Sequence, residues 1–223
     1  IHPGYGFLSE DPKFAEATRS AEIEFIGPRT AVIAQMGNKV AARLAAQNAK
    51  VPIIPGTEQE IDDSQAITVG RSVGYPLMVK ATDGGGGMGI RLVEVEEDLL
   101  KSIDQARTQA QTAFGSSGVY LERRVSPASH IEVQIIADNH GTVLHLFDRD
   151  CSIQRRSQKV IEETPSPKLS AALRRRICLA AVRLMRNIGY SNAGTVEFLL
   201  DQNGDFFFLE VNSRLQVEHP ITE

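Results

Sequence analysis

The sequence predicts an α+β fold with a small lobe, which carries a glycine-rich flap, and a larger, strand-rich lobe. Three observations carry this. Helical and extended stretches come in blocks, not as a regular βαβ array. The glycines at 84–89 are followed by the alternating run Ile90-Arg-Leu-Val-Glu-Val95, so the loop joins two strands and does not open a helix. Asn203-Gly204 lies between two apolar runs and marks a tight hairpin, because the favoured turn needs positive φ at both central residues.

Composition narrows the possible functions. The chain has 223 residues, 42% apolar and 23% charged, with net charge −4, the profile of one large globular domain or two smaller ones. No run approaches a membrane span and no cleavable signal opens the chain. Slight acidity argues against a nucleic-acid surface. The two cysteines, Cys151 and Cys178, are too few for a disulfide framework and are expected as free thiols in a reducing compartment. Cys151 sits in an alternating stretch and reads as a small core residue, not a nucleophile. The chain opens at Ile1 in a loop and stops at Glu223 after its richest motif, so it is expected to be a piece of something longer, truncated at both ends.

In chain order, His2-Pro-Gly-Tyr-Gly6 is a turn, Pro12 to Ala21 a helix, and a short strand is expected to end at Gly27. A helix runs from Thr30 to about Gln35. Gly37-Asn38 interrupts it, and Asn38 is a good N-cap for a second helix from Lys39 to Asn48. Pro52, Pro55 and Gly56 mark a linker. Then come helix Ser64–Val73, strand Leu77–Thr82, the glycine loop, strand Ile90–Val95, helix Glu97–Phe114 and strand Val119–Val125. The last third reads as strands Ile131–Ala137 and Val143–Phe147 joined across Asn139-His-Gly141, helix Ser170–Ile188, and the Asn203-Gly204 hairpin.

That hairpin sets the chemistry. With a two-residue turn, Gln202 faces Asp205, Leu200 faces Phe207, and Glu197 faces Glu210. Directly opposed side chains have Cβ atoms about 4.5–5.5 Å apart, where like charges repel. Asn212 lies on the same face as Glu210. Two carboxylates and an amide oxygen among Val, Phe and Leu call for a hard cation such as Mg²⁺, which shares its remaining positions with water and phosphates. A protonated carboxyl pair and a register slip are the competing explanations.

The loop Lys80-Ala-Thr-Asp-Gly-Gly-Gly-Gly-Met-Gly89 contains a formal G-x-G-x-x-G at Gly84, Gly86 and Gly89, but it lacks the following helix that a dinucleotide site needs. No Walker sequence is present. Five glycines in six residues cost backbone entropy, and a flap whose bare N–H groups close over phosphates would account for them. Lys80 would add a point charge. Several residues have bland readings. His140 and His145 are expected at the surface, and Arg174, Arg175 and Arg176 as a solvated face. His219 reads as structural, and Arg149-Asp150 as an internal ion pair. Tyr5 and Phe7 are weaker candidates for a pocket border.

With a glycine flap, a preceding lysine and a Glu…Glu-x-Asn hairpin, the chain resembles the ATP-grasp fold. More narrowly it resembles the biotin carboxylase component of biotin-dependent carboxylases, such as the alpha chain of acetyl- and propionyl-CoA carboxylases. The supporting strings are His2-Pro-Gly-Tyr-Gly-Phe-Leu-Ser-Glu10, Met36-Gly-Asn-Lys39, the Lys80 to Gly89 loop, and His130-Ile-Glu-Val-Gln134. Arg149-Asp-Cys-Ser-Ile-Gln-Arg-Arg-Ser-Gln-Lys159 and Glu210-Val-Asn-Ser-Arg-Leu-Gln-Val-Glu-His-Pro-Ile-Thr-Glu223 complete the set. The resemblance implies the end of an N-terminal biotin carboxylase domain at 1–26, a helical linker at 27–53, the small ATP-grasp lobe at 54–124, and an incomplete large lobe at 125–223.

It also implies roles. Lys39 and Lys80 would contact ATP phosphates under a flap of Gly84, Gly85, Gly86, Gly87 and Gly89. Glu122, Val125 and the backbone of Arg123 would form the adenine hinge, with His130 and Gln154 near the ribose. Glu197, Glu210 and Asn212 would hold Mg²⁺ or Mn²⁺. Lys159, Arg214, Gln216 and the Val217 backbone would bind bicarbonate, with Glu218 as its general base. The physical chemistry agrees. Bicarbonate is a planar anion that a guanidinium can bind through two oxygens. A regular strand would put Asn212, Arg214, Gln216 and Glu218 on one face.

The implied product is carboxylated biotin on a carrier domain or protein, handed to a carboxyltransferase component in an oligomeric, cytoplasmic enzyme (mitochondrial if eukaryotic). An acyl-CoA is the default acceptor, with pyruvate or urea as alternatives, and this portion alone would turn over negligibly. Neither a nucleic acid nor a membrane is implied. Ser157 stands where the family commonly has His, Met88 replaces a residue often basic, and Asp83 puts an acid near the phosphates. A different ATP-grasp ligase, joining a carboxylate to an amine, is the alternative enzyme. A nucleotide-binding regulatory module is the non-catalytic one.

Overall fold

The computed structural model describes residues 1–84, 87–156 and 158–223. The expectations placed on Gly85, Gly86, Ser157 and the Phe7 side chain lie outside the described residues. Asp11 starts the first helix, α1 (Pro12–Ser20), by accepting from the backbone N–H groups of Lys13 (2.8 Å) and Phe14 (3.4 Å). The strand expected before Gly27 is absent among the described residues: Phe25 instead turns inward against Ala15 and Ile33. Helix α2 (Thr30–Gly37) stops at Asn38, whose side chain accepts from Ala41 N–H (2.9 Å) to cap α3 (Lys39–Asn48).

The small lobe is a three-stranded antiparallel sheet. Strands β1 (Leu77–Ala81), β2 (Ile90–Val93) and β3 (Val119–Arg123) run in the order β2-β1-β3, and the glycine loop joins β1 to β2 as expected. Gly84 has φ +86°, and a Cβ there would drive into the Phe114 ring, so glycine is required. Helices α4 (Asp63–Val73) and α5 (Leu99–Phe114) cover one face, packing Ala66, Leu99, Ile103 and Ala106 on Leu77, Val79 and Leu121. A 3₁₀ turn at Glu96–Asp98 delays the start of α5.

The large lobe is a five-stranded antiparallel sheet. Its strands are β4 (Ala128–Ala137), β5 (Val143–Arg155), β6 (Gln158–Glu163), β7 (Asn192–Asp201) and β8 (Phe206–Asn212), ordered β6-β5-β4-β7-β8. Helix α6 (Ala171–Asn187), capped by Ser170, packs on β4 and β5. Val133, Val196, Phe198 and Phe208 of the sheet meet Ile177, Ala181 and Leu184 of α6. Helices α2 and α3 join this same core through Val32, Met36, Ala42 and Ala46. Pro52 O accepts from Phe208 N–H (2.7 Å) and so covers the β8 edge.

Strand β5 is longer than its apolar pattern indicated, and β6 was missed altogether. The length of β5 has its cause in a bulge at Phe147. Val133 pairs with Asp148 but Ile135 pairs with His145, and Phe147 takes φ +63°. The bulge reverses which residues face the core. Asp148 then turns to α6, where Arg174 Nε donates to it (2.7 Å), while Arg149 points to the opposite face. Two expectations fail here. Arg149 and Asp150, as strand neighbours, cannot pair across opposite faces, and Arg174 is part of the α6–sheet contact, not of a solvated face.

No helix among the described residues is long and apolar enough to cross a membrane. Both thiols are buried, Cys151 at 0% and Cys178 at 1% exposure. Burial pushes the Cys178 thiol up to about 12 and raises Cys151 as well. Neither should react with an aromatic disulfide reagent in the native protein, and both should react on unfolding in denaturant. Rapid native labelling of either would contradict this packing.

Candidate functional site

The site grows from a row of paired residues across the large sheet. Arg149 on β5 pairs with Glu132 on β4, Glu132 with Glu197 on β7, and Glu197 with Glu210 on β8. The other face carries the apolar residues packed on α6, together with Asp148, so strand alternation presents this row to the cleft below the small lobe. Glu197 does oppose Glu210, but by a different route from the two-residue turn. Asp201 N–H donates to Asp205 O (2.9 Å), leaving a three-residue loop of Gln202, Asn203 and Gly204, with Gly204 at φ +82°. Leu200 therefore faces Phe206 and not Phe207, and Gln202 does not flank the turn with Asp205. A bulge at Leu209 then restores the Glu197–Glu210 partnership, since Phe198 pairs with Phe208 and Glu197 with Glu210. Without it, Glu210 and Asn212 would follow Phe206 and Phe208 into the core.

A cavity of about 550 Å³ lies over this row, lined by Lys39, Lys80, Gly87, Met88, His130, Gln154, Lys159, Glu197, Glu210, Asn212, Arg214, Gln216, Val217 and Glu218. A second, of about 420 Å³, shares Lys80, Ile90, His130, Gln154 and Leu199 with it and extends between the lobes past Met78, Glu122, Arg123 and Val125. Every described residue given a nucleotide, metal or bicarbonate role from the sequence lines one or the other except Gly84 and Gly89, which sit at the base of the flap; Tyr5 lines neither. Gly84 O accepts from Lys39 Nζ, and Gly89 O accepts from Ala81 N–H (2.9 Å).

Electrostatics explain how so many charges share this space. Lys159 Nζ contacts Glu132, Glu197 (3.0 Å) and Glu218 (3.5 Å). Burial works against its ammonium, but Glu197 and Glu132 outweigh it and hold its pKa above the usual lysine value. Burial alone would raise Glu197; His130 at 2.8 Å and Lys159 keep it well below the usual carboxylate range. Glu210 has no such direct partner, and burial followed by repulsion from Glu197 pushes it up to about 7. Burial also lowers Lys39.

Some expected positions take a different form. The Glu122 carboxylate is held between Arg43 on α3 and Lys80 (2.5 Å). The Arg123 backbone N–H is already donated to Pro55 O (2.8 Å). Asp83 accepts from Asn38 Nδ2 (2.9 Å), so its charge is tied to the α3 cap. The segment after Asn212 is not a regular strand; it bends at Arg214 and turns into 3₁₀ at His219–Ile221. Arg214, Gln216 and Glu218 nonetheless reach the cavity. His219 Nδ1 pairs with Glu223 (2.5 Å).

Four functional neighbours escaped the sequence reading. Glu10 accepts from Ser213 N–H (2.8 Å) and Arg214 Nε (2.9 Å), a link spanning nearly the whole chain. Arg43, Glu132 and Arg149 are the buried partners of Glu122, Lys159 and Gln216. Only Glu132 had a usable signal, an acid at an inward position of His130-Ile-Glu-Val-Gln134.

Residues 38–223 match the family model for the carbamoyl-phosphate synthase L chain ATP-binding domain, and residues 1–33 match that for the biotin carboxylase N-terminal domain. Biotin carboxylase 2 of Bacillus subtilis is 50% identical over the whole chain, which covers 50% of that protein. A pyruvate carboxylase component from Methanothermobacter thermautotrophicus is also 50% identical over the whole chain, which covers 45% of it. The chain thus spans about half the length of the curated relatives it matches. Its structure superposes with a TM-score of 0.97 on the biotin carboxylase domain dimer of Hydrogenobacter thermophilus 2-oxoglutarate carboxylase, solved with MgADP, ADP and bicarbonate. That protein is 43% identical, and the match covers all of this chain and 49% of the other.

Arg43 and Glu122 are 5% and 3% exposed at their side chains, so removing one strands the other. Arg43→Ala should destabilise the fold by about 3 kcal/mol, with Lys80 limiting the loss, as read from urea unfolding. A change below about 1 kcal/mol would mean that the pair is not formed in solution.

Proposed function

This chain belongs to the biotin carboxylase family of ATP-grasp domains, and from that premise we propose that it binds Mg-ATP between its lobes and uses it to activate bicarbonate for transfer to biotin. One observation supports this most: a single cavity in which two opposed glutamates face Lys39, Lys80, Lys159 and Arg214. That is the charge pattern for a nucleotide's phosphates and their cation beside a second, smaller anion.

The residues fit a divalent ion. Glu210, raised to about 7 by burial and by Glu197, is a poorly compensated acid that a cation facing both carboxylates would relieve. Glu197 and Glu210 would hold Mg²⁺, or Mn²⁺ by the same hard-oxygen argument. Asn212 Oδ1 accepts from Arg214 (3.1 Å), so it would join them once Arg214 turns to substrate. The bound ion would supply neutralising charge to the phosphates.

Lys39 and Lys80 would meet the phosphates, Lys80 aimed by Glu122. The interlobe cavity at Met78, Arg123 and Val125 would take the base, with His130 and Gln154 near the ribose. The Glu122 carboxylate would position Lys80, while the residue itself lines the interlobe cavity where the sequence puts the adenine hinge.

At the other end, Lys159 is charged at neutral pH and Arg214 is anchored by Glu10, so both would hold bicarbonate. Glu218 would take its proton while a bicarbonate oxygen attacks the γ-phosphorus and the bond to ADP breaks, giving carboxyphosphate. The carboxyl would pass from carboxyphosphate to a nitrogen of biotin on a carrier domain, the carbon–oxygen bond to phosphate breaking and the departing phosphate taking the nitrogen's proton, and a carboxyltransferase would use the product. Two free thiols favour a cytoplasmic setting. An acyl-CoA is the acceptor expected by default, but the cavity offers nothing to choose it, since relatives named for biotin carboxylase and for pyruvate carboxylase match at the same identity.

In the full-length protein, Glu218→Gln should lower bicarbonate-dependent ATP hydrolysis about 10²-fold or more while leaving Mg-ATP affinity within about twofold. Glu210→Gln should instead weaken Mg²⁺-dependent nucleotide binding in calorimetry. Hydrolysis that ignores bicarbonate but follows an added amine would favour the carboxylate–amine ligase.

A further inference from the structure

Arg149 is the largest fully buried side chain among the described residues. A buried guanidinium is costly unless all its donors are met. Here they are. Nε donates to Glu132 (2.6 Å), one terminal nitrogen to Gln134 (2.8 Å) and Thr222 (2.9 Å), and the other to Gln216 (2.7 Å) and Thr195 (3.4 Å). Five acceptors match the five N–H donors of an arginine.

Two of those acceptors govern the anion end of the cavity. Gln216 receives Arg149 at its Oε1, so its Nε2 must point the other way, where it donates to Glu197 (3.2 Å) beside the cavity. The guanidinium therefore sets which end of the amide is offered to a bound anion. Glu132 receives Arg149 at Oε1 and Lys159 at Oε2, so the same guanidinium fixes the carboxylate that holds the Lys159 ammonium. Arg149 does not line the cavity itself.

We propose that Arg149 is a positioning residue for the anion subsite, aiming the Gln216 amide directly and the Lys159 ammonium through Glu132. None of its direct partners is Lys39, Lys80 or Glu210, and it reaches Glu197 only at second hand through Gln216 and Lys159, so its larger effect falls on the smaller anion. This rests on the bicarbonate reading given above. A lysine in its place keeps the charge but has three donors for five acceptors, so it cannot hold both partners in register.

The test uses steady-state ATP hydrolysis by the full-length protein, with bicarbonate and ATP varied separately. Arg149→Lys should raise the KM for bicarbonate about 10- to 100-fold, with the KM for ATP within about twofold. A merely structural arginine would lose activity through fewer folded molecules, leaving both KM values unmoved. If Arg149→Lys does not fold, Gln134→Met decides the matter. It removes one Arg149 acceptor that is not part of the cavity lining and should raise the bicarbonate KM about threefold. An unmoved bicarbonate KM in the folded variant overturns the role of Arg149 alone. Absence of bicarbonate-stimulated hydrolysis in the unaltered protein overturns the functional reading and this role with it.

Discussion

Three carboxylates, those of Glu132, Glu197 and Glu210, stand side by side across β4, β7 and β8, closed at one end by Arg149. Like charges directly opposed on a sheet repel, so this row can exist only where cations separate its members. Arg149 and Lys159 hold Glu132, while Lys159 and His130 hold Glu197. The end of the row at Glu210 is left short of positive charge. Much of the cleft is arranged around that imbalance: compensated acids beneath the proposed anion end, and a poorly compensated one where we propose the nucleotide phosphates enter.

The two lobes are tied by the helix between them. Helix α3 belongs to the core of the large lobe, yet its first turn touches the glycine loop through Asn38–Asp83, Lys39 N–H to Thr82 O (2.7 Å), and Lys39 to Gly84. One turn later Arg43 reaches Glu122 in β3 and Ile54 O (2.8 Å). Both lysines proposed for the nucleotide end are therefore placed relative to a single element: Lys39 rides on it, and Lys80 is held through Glu122 by its Arg43. The proposed anion end has a comparable fastening, Glu10 gripping Arg214 from near the start of the chain.

Element identity was legible wherever a local rule spoke clearly. Asn38 as a cap, the strand–glycine–strand order of the flap, and the long amphipathic run of α6 needed no tertiary information. Strand parity was legible only where alternation persisted. Phe206-Phe-Phe-Leu209 is apolar throughout, so nothing in it tells which residues face α6, and the two-residue turn inferred from Asn203-Gly204 put the wrong aromatic residues inside. Phe147 ended the apparent pattern of β5, although the strand only changes face there. Long-range fasteners such as Glu10–Arg214 and Arg43–Glu122 left no mark in spacing, because each joins segments that meet only after folding. The residues around the acids were recognised by motif, but their partners were found only by geometry.

The extra residue at Leu209 has a further implication for how the hairpin could change length. A loop shorter by one residue, followed by an unbroken β8, would reach the same facing of Glu197 and Glu210, because the tip and the bulge each offset the count by one. What would differ is the lining against α6: Phe207 and Leu209 would turn inward in place of Phe206 and Phe208. Slippage near the tip is thus absorbed before it reaches the acids. The chemistry at the far end of this hairpin is insulated from a shift between these two turn lengths at its apex, and the burden of that change falls on the packing of aromatic rings instead.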